Sequence, residues 1–143
     1  MATLKDVSNS VVTFEQSFPR PGVPDLSARL TSFQFVYEQD WPRLWAEGGT
    51  LRKFAEDPCV YFFFDEEESL MYIGSARVLG NRFFQHFDAK HAVWKRRTRG
   101  LAILPLPKDS WFEIRAIEAY LIQKLDPSHN VVGRLSEIEA KEL

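Results

Sequence analysis

The chain has 143 residues, 45% hydrophobic and 27% charged, with a formal net charge of −2; this suits one compact domain with a real core and excludes a disordered polymer. No apolar run approaches the roughly 18 residues that cross a bilayer, so no membrane-spanning helix is expected. The single cysteine, Cys59, allows no intrachain disulfide, and the opening MATLKDVSNS lacks a charged-then-apolar leader profile, so the expected location is cytoplasmic.

In chain order, the alternation of VVTFEQSF over 11–18 predicts a strand. Pro19, Pro21, Gly22 and Pro24 then break regular structure. Asp25 can cap a helix over 25–38. Residues 40–54, with Trp41, Leu44, Trp45, Leu51 and Phe54 around Gly48-Gly49, read as helical pieces packed on the rest. An internal boundary falls near Asp57-Pro58, where polar sequence gives way to CVYFFF. The expected division is therefore an N-terminal extension (1–57), a main domain (58–132) and a C-terminal tail (133–143). From Cys59 the pattern sharpens: a strand over Cys59–Phe64, a polar turn, and a second strand over Leu70–Gly74 predict a β-hairpin. Val78–Phe87 follows as a helix, with Leu79, Phe83 and Phe87 along one face. Gly100–Leu106 is a third strand, and a helix over about Trp111–Leu125 stops before Pro127. The order predicts an α/β fold of the α+β kind: a small, mainly antiparallel three-stranded sheet flanked by helices, with the N-terminal extension packed on it.

Polar groups stand where these patterns call for apolar ones. Glu118 lies between Ile114 and Ile122 at four-residue spacing, along the stripe of the last helix; an unpaired buried carboxylate there needs a cation, a metal or a proton. The plainer alternative is a stripe-edge carboxylate paired with Arg115 or Lys124. Arg82 and His86 share one helix face and could converge on an anion, or could be a snorkelling arginine and a histidine bonded to a carbonyl. Tyr61 and Tyr72 sit on the two hairpin strands; tyrosine is ordinary strand chemistry, and the sequence leaves their register open. Tyr72 should share its face with Leu70 and Gly74, and Gly74 leaves room for close approach. Residues 88–143 carry ten basic and eight acidic side chains, the excess lying in Lys90, Lys95, Arg96, Arg97 and Arg99. That strip is either a solvated face or a seat for a phosphate backbone.

Together these positions resemble the GIY-YIG nuclease family. Its first motif appears as Cys59-Val60-Tyr61 and its second as Tyr72-Ile73-Gly74, with the tyrosines 11 residues apart. Arg82 and His86 match the family's Arg-x-x-x-His helix, Glu118 its later glutamate, and Pro127-Ser128-His129-Asn130 its closing Pro-x-x-Asn. The one departure is Cys59, where the family usually has glycine. The resemblance implies hydrolysis of DNA with Mg²⁺ or Mn²⁺ on Glu118 and Tyr61 as general base, its ordinary pKa near 10 demanding positive charge nearby. It further implies Arg82 on the scissile phosphate, Tyr72 and His86 orienting water and phosphate, and Asn130 tying the site together. DNA is the expected partner; residues 1–57 or a partner protein would supply specificity, and cutting both strands with one site would require two protomers, as in a homodimer, or two visits. The rivals are a catalytically silent nucleic-acid-binding module and a protein-interaction domain on the same fold.

Overall fold

A segment such as CVYFFF, apolar at every position, suits a strand covered on both faces, and in the computed structural model it occupies the interior of a sheet. The structure describes residues 1–18, 25–81 and 97–130. In chain order the elements are α1 (Leu4–Ser17), β1 (Thr31–Gln34), α2 (Tyr37–Trp45), β2 (Cys59–Phe64), β3 (Leu70–Ala76), β4 (Gly100–Pro105) and α3 (Ile114–Leu125). The strands form one antiparallel sheet in the order β1-β4-β2-β3. All six residues of β2 are buried.

Two expectations are corrected before Asp57. The strand expected over 11–18 is helix α1. Its short alternation is outweighed by Val7, Val11 and Phe14, which fall on one helical face and are buried. A capping box at Thr3 starts it: the Asp6 N–H donates to Thr3 Oγ1, and the Thr3 N–H donates to Asp6 Oδ2 at 2.9 Å. The helix expected over 25–38 is broken. Asp25 takes a left-handed conformation, φ +57°, and opens only a 3-10 turn at Leu26–Arg29. The next residues, Thr31-Ser32-Phe33-Gln34, add to the open edge of β4, so the sheet has four strands where three were expected. Helical structure resumes as α2, which ends at Trp45 ahead of Gly48, φ +81°.

Each face of the sheet carries its own apolar layer. Val60, Phe62, Phe64, Ile73, Ala102 and Leu104 pack against Val7, Val11 and Phe14 of α1 and Ile114, Ile117, Leu121 and Ile122 of α3. Cys59, Tyr61, Phe63, Met71, Leu101 and Ile103 pack on the other side with Phe35, Leu44, Trp45, Leu51 and Leu79. The extension before residue 58 thus contributes a strand to the sheet and side chains to both layers. Burying one such side chain fully is worth about 1.5–3 kcal/mol.

The last helix is assembled in two steps. Lys108–Glu113 is a 3-10 turn with Ser110 off helical geometry, and the α-helix proper begins at Ile114. It ends at Asp126 in a left-handed conformation before Pro127. The chain then turns along the outer edge of β3, where the His129 N–H donates to the Met71 carbonyl at 2.8 Å. The helix expected over Val78–Phe87 is entered at residues 79–81; its remainder lies outside the described residues. Among the described residues, no helix is long and apolar enough to cross a membrane.

Candidate active site

The hairpin register left open by the sequence is fixed by the pairing of β2 with β3. Tyr61 stands opposite Gly74 and Phe63 opposite Tyr72, with an irregularity between Phe63 and Phe64 that leaves Met71 without a partner. This bulge corrects the expected face of Leu70. Leu70 packs in the α1–α3 layer, while Met71 and Tyr72 both turn to the α2 side. Tyr61, Phe63 and Tyr72 then form an aromatic cluster, with centroids 6.2 Å apart for Tyr61–Tyr72 and 5.7 Å for Phe63–Tyr72. Tyr61 is 1% exposed and Tyr72 half-buried.

Gly74 is what allows this arrangement. A Cβ built there would run into Cζ and Oη of Tyr61 and lie 2.6 Å from its Cε2. The phenol tip therefore rests directly over the Gly74 backbone. Gly74→Ala is expected to cost about 1–3 kcal/mol by forcing the ring aside, read as a fall in melting temperature. The cost should shrink in a Tyr61→Leu background, where no ring tip remains, so the pair should be non-additive.

Asn130 holds the same motif from its outer edge. The Ile73 N–H donates to Asn130 Oδ1 and Asn130 Nδ2 donates to the Ile73 carbonyl, each at 2.7 Å, with Asn130 only 3% exposed. The side-chain amide thus copies a strand neighbour for the residue between Tyr72 and Gly74.

Glu118 belongs to α3, whose buried stripe packs on the other face of the sheet. It lies on α3 among Ile114, Ile117, Leu121 and Ile122, all buried, yet is itself half-buried. Neither Arg115 nor Lys124 forms an ion pair with it; the Lys124 ammonium instead lies 5.8 Å from the Tyr120 ring. Ser75, next to Gly74 and opposite Val60, faces this same layer. It is buried, and its Oγ has no hydrogen-bond partner among the described residues. Sequence reasoning passed over Ser75, because one small hydroxyl in a strand carries no periodic signal. The structure therefore brings Tyr61, Tyr72 and Gly74 together, sets Asn130 on the edge of β3, and places Glu118 on the helix that packs on the sheet's other face.

Arg82, His86, Lys90, Lys95 and Arg96 lie outside the described residues. Arg97 and Arg99 are at the hairpin-turn end of the sheet, where the Arg99 N–H donates to the Phe64 carbonyl at 2.8 Å. Both line a small cleft with Asp65, Glu66 and Glu67. A larger cleft of about 740 Å³ opens at the same end, between Thr3–Lys5, Ser32–Gln34 and Phe64-Asp65, and includes neither Tyr61 nor Glu118. An extended polymer does not need an enclosed pocket, so the cleft and the tyrosine cluster can be separate features.

Cys59 fits its strand without strain. It is fully buried opposite Ala76 and Pro105, and burial, then the charge of Asp57, pushes its thiol pKa up. That is a packing cysteine and not a nucleophile.

The model of the GIY-YIG catalytic domain matches residues 57–130, a span that takes in β2, β3, β4, α3 and Asn130 and leaves out α1, β1 and α2. Among solved structures, the chain is similar to the GIY-YIG N-terminal endonuclease domain of UvrC from Thermotoga maritima. A point mutant of that domain bound to its catalytic divalent cation is 27% identical, with a TM-score of 0.48, over 57% of this chain and 96% of that one. The same domain bound to magnesium is 28% identical, with a TM-score of 0.47, over 57% and 97%. A search of curated proteins finds no match.

Proposed function

Since the chain belongs to the GIY-YIG catalytic domain family, we propose that it is a metal-dependent endonuclease that hydrolyses DNA phosphodiester bonds. The observation that supports this reading is the family match over residues 57–130, which takes in the Tyr61 phenol held over Gly74 and Glu118 on α3, the latter with no ion pair to a described residue. Mg²⁺ or Mn²⁺ suits the donors present. Among the described residues no three His, Cys, Asp or Glu side chains cluster as a closed cage, and a hard cation of this kind needs only one or two carboxylates, keeping waters and substrate oxygens for the rest. Glu118 would hold it, with the Ser75 hydroxyl, which has no hydrogen-bond partner among the described residues, on the layer where α3 packs. When bound, such an ion supplies stabilisation of the charge that develops on the phosphate and the leaving 3′ oxygen.

The remaining work falls to the chain's own groups. The Tyr61 hydroxyl takes the proton of the attacking water, and Tyr72, stacked in the same cluster, orients it. Arg82 grips the scissile phosphate through its planar fork and His86 carries a proton, both roles resting on the family resemblance. Asn130 is a positioning residue: it fixes the Ile73 peptide and so the backbone on either side of it. Lys90, Lys95 and Arg96 are proposed to follow the DNA backbone. Arg97 and Arg99 contribute less, because Asp65, Glu66 and Glu67 share their cleft. A cytoplasmic location fits the lone buried thiol, and a homodimer or a partner protein would allow both strands to be cut.

The test is cleavage of supercoiled, linear and branched DNA with Mg²⁺, Mn²⁺ or EDTA, comparing wild type with Tyr61→Phe. Phenylalanine keeps the ring over Gly74, so the protein should stay folded while the rate drops about 10²–10⁴-fold. Binding of DNA without cutting by either protein would instead identify a silent binding module.

A further inference from the structure

Two large apolar rings are turned to solvent just ahead of α3. Trp111 is 43% exposed and Phe112 63% exposed, and their rings meet edge to face at 6.2 Å and 88°. Neither belongs to the buried stripe of the helix, which starts at Ile114. Adjacent exposed aromatics are a feature of binding surfaces more than of folding. A cation accompanies them: the Arg77 guanidinium carbon lies 4.2 Å from the Trp111 ring centroid. Arg77 follows directly on the end of β3 at Ala76, three residues beyond Gly74. Trp111 precedes Glu118 by seven residues, about 12 Å along the helical path. The aromatic pair is thus continuous with both elements of the candidate active site.

We propose that the edge-to-face pair Trp111 and Phe112 forms a stacking platform for an unpaired nucleobase beside the cleavage site, one ring meeting the base face and the other its edge, with Arg77 drawn to the neighbouring phosphate. This rests on the nuclease reading and names its substrate class: DNA with single-stranded character, such as a flap, a branch or a locally melted duplex. The chemistry favours a nucleotide over an apolar protein patch. A nucleotide presents a π-face and an anion within one unit, matching an exposed ring next to a guanidinium that lies over Trp111, whereas an apolar partner surface would leave Arg77 desolvated and unpaired. In intact duplex the base faces are stacked on one another and unavailable to the rings.

The experiment measures binding of the full chain, in EDTA so that nothing is cut, to a labelled single strand, a flapped duplex and a blunt duplex. The double variant Trp111→Ala/Phe112→Ala should bind the single strand and the flap about 5- to 100-fold more weakly. Its affinity for blunt duplex should stay within about twofold. Phe112→Ser alone, at the more exposed position, should show part of the same selective loss with an unchanged melting temperature. Equal losses on all three DNAs, no loss on any, or no binding by wild type would each overturn the platform. Cleavage by wild type in Mg²⁺, measured in parallel, reports separately on the nuclease reading, so an active enzyme with an unselective double variant would sink only the platform.

Discussion

Glu118→Gln is expected to reduce metal-stimulated DNA cleavage about a thousandfold while leaving the melting temperature unchanged or higher. The substitution keeps the shape of the side chain and removes only the charge. In the folded protein that charge stands in the apolar stripe of α3, between Ile114 and Ile122 at one turn's spacing, with no ion pair to a described residue. Glutamine keeps the half-buried side chain and removes no ion pair to a described residue, so neutralising it should not destabilise. The same charge is the hard oxygen donor that a Mg²⁺ or Mn²⁺ ion would require, and losing several kcal/mol of transition-state stabilisation corresponds to about three decades in rate. Rates measured across a Mg²⁺ titration, together with thermal melts, check both halves. If Glu118 were a structural member of the helix, the pattern would invert, with lower stability and cleavage retained. Equal cutting by both proteins would remove Glu118 from the site.

How much of this was legible in the sequence depends on the range of each interaction. CVYFFF could be read as a central strand because every position is apolar, and the hairpin because a polar turn separates two such runs. The inward stripe of α3 follows from its own periodicity, and Glu118 stood out against it. Helix α1 was misread because an eight-residue window alternates by chance, while the deciding signals, the Thr3 capping box and Val7, lie upstream of it. Strand β1 has only four residues, and its conformation is set by the open edge of β4, about seventy residues away. The bulge at Met71 is likewise a property of the pairing and not of the strand, and with it goes the face of Leu70. The two tyrosines could be singled out by motif, but their stacking over Gly74 needed the register. The exposure of Trp111 and Phe112 had no signature at all, since aromatic residues at a helix start read equally well as core.

Asn130→Ala should be the most destabilising of the single substitutions, by about 2–5 kcal/mol. Its amide makes two hydrogen bonds of 2.7 Å to one buried residue's backbone, that of Ile73. Alanine would leave the Ile73 N–H and carbonyl unsatisfied, each at about 1–3 kcal/mol, and the corresponding drop in melting temperature is roughly 7–17 °C for a domain of this size. Asn130→Asp is the sharper probe. It is nearly isosteric and still accepts from the Ile73 N–H, but it loses the donor and sets a carboxylate oxygen against the Ile73 carbonyl. At neutral pH it should therefore be nearly as damaging as alanine, and acidification that protonates the introduced carboxylate should restore part of the loss by returning a donor. Cleavage should fall along with stability in both variants, because Tyr72 and Gly74 flank the residue that Asn130 holds. Glu118→Gln, by contrast, should lose cleavage alone. An Asn130→Ala protein that melts like wild type but cannot cut would mean that the amide touches the reacting atoms and is more than a brace for β3.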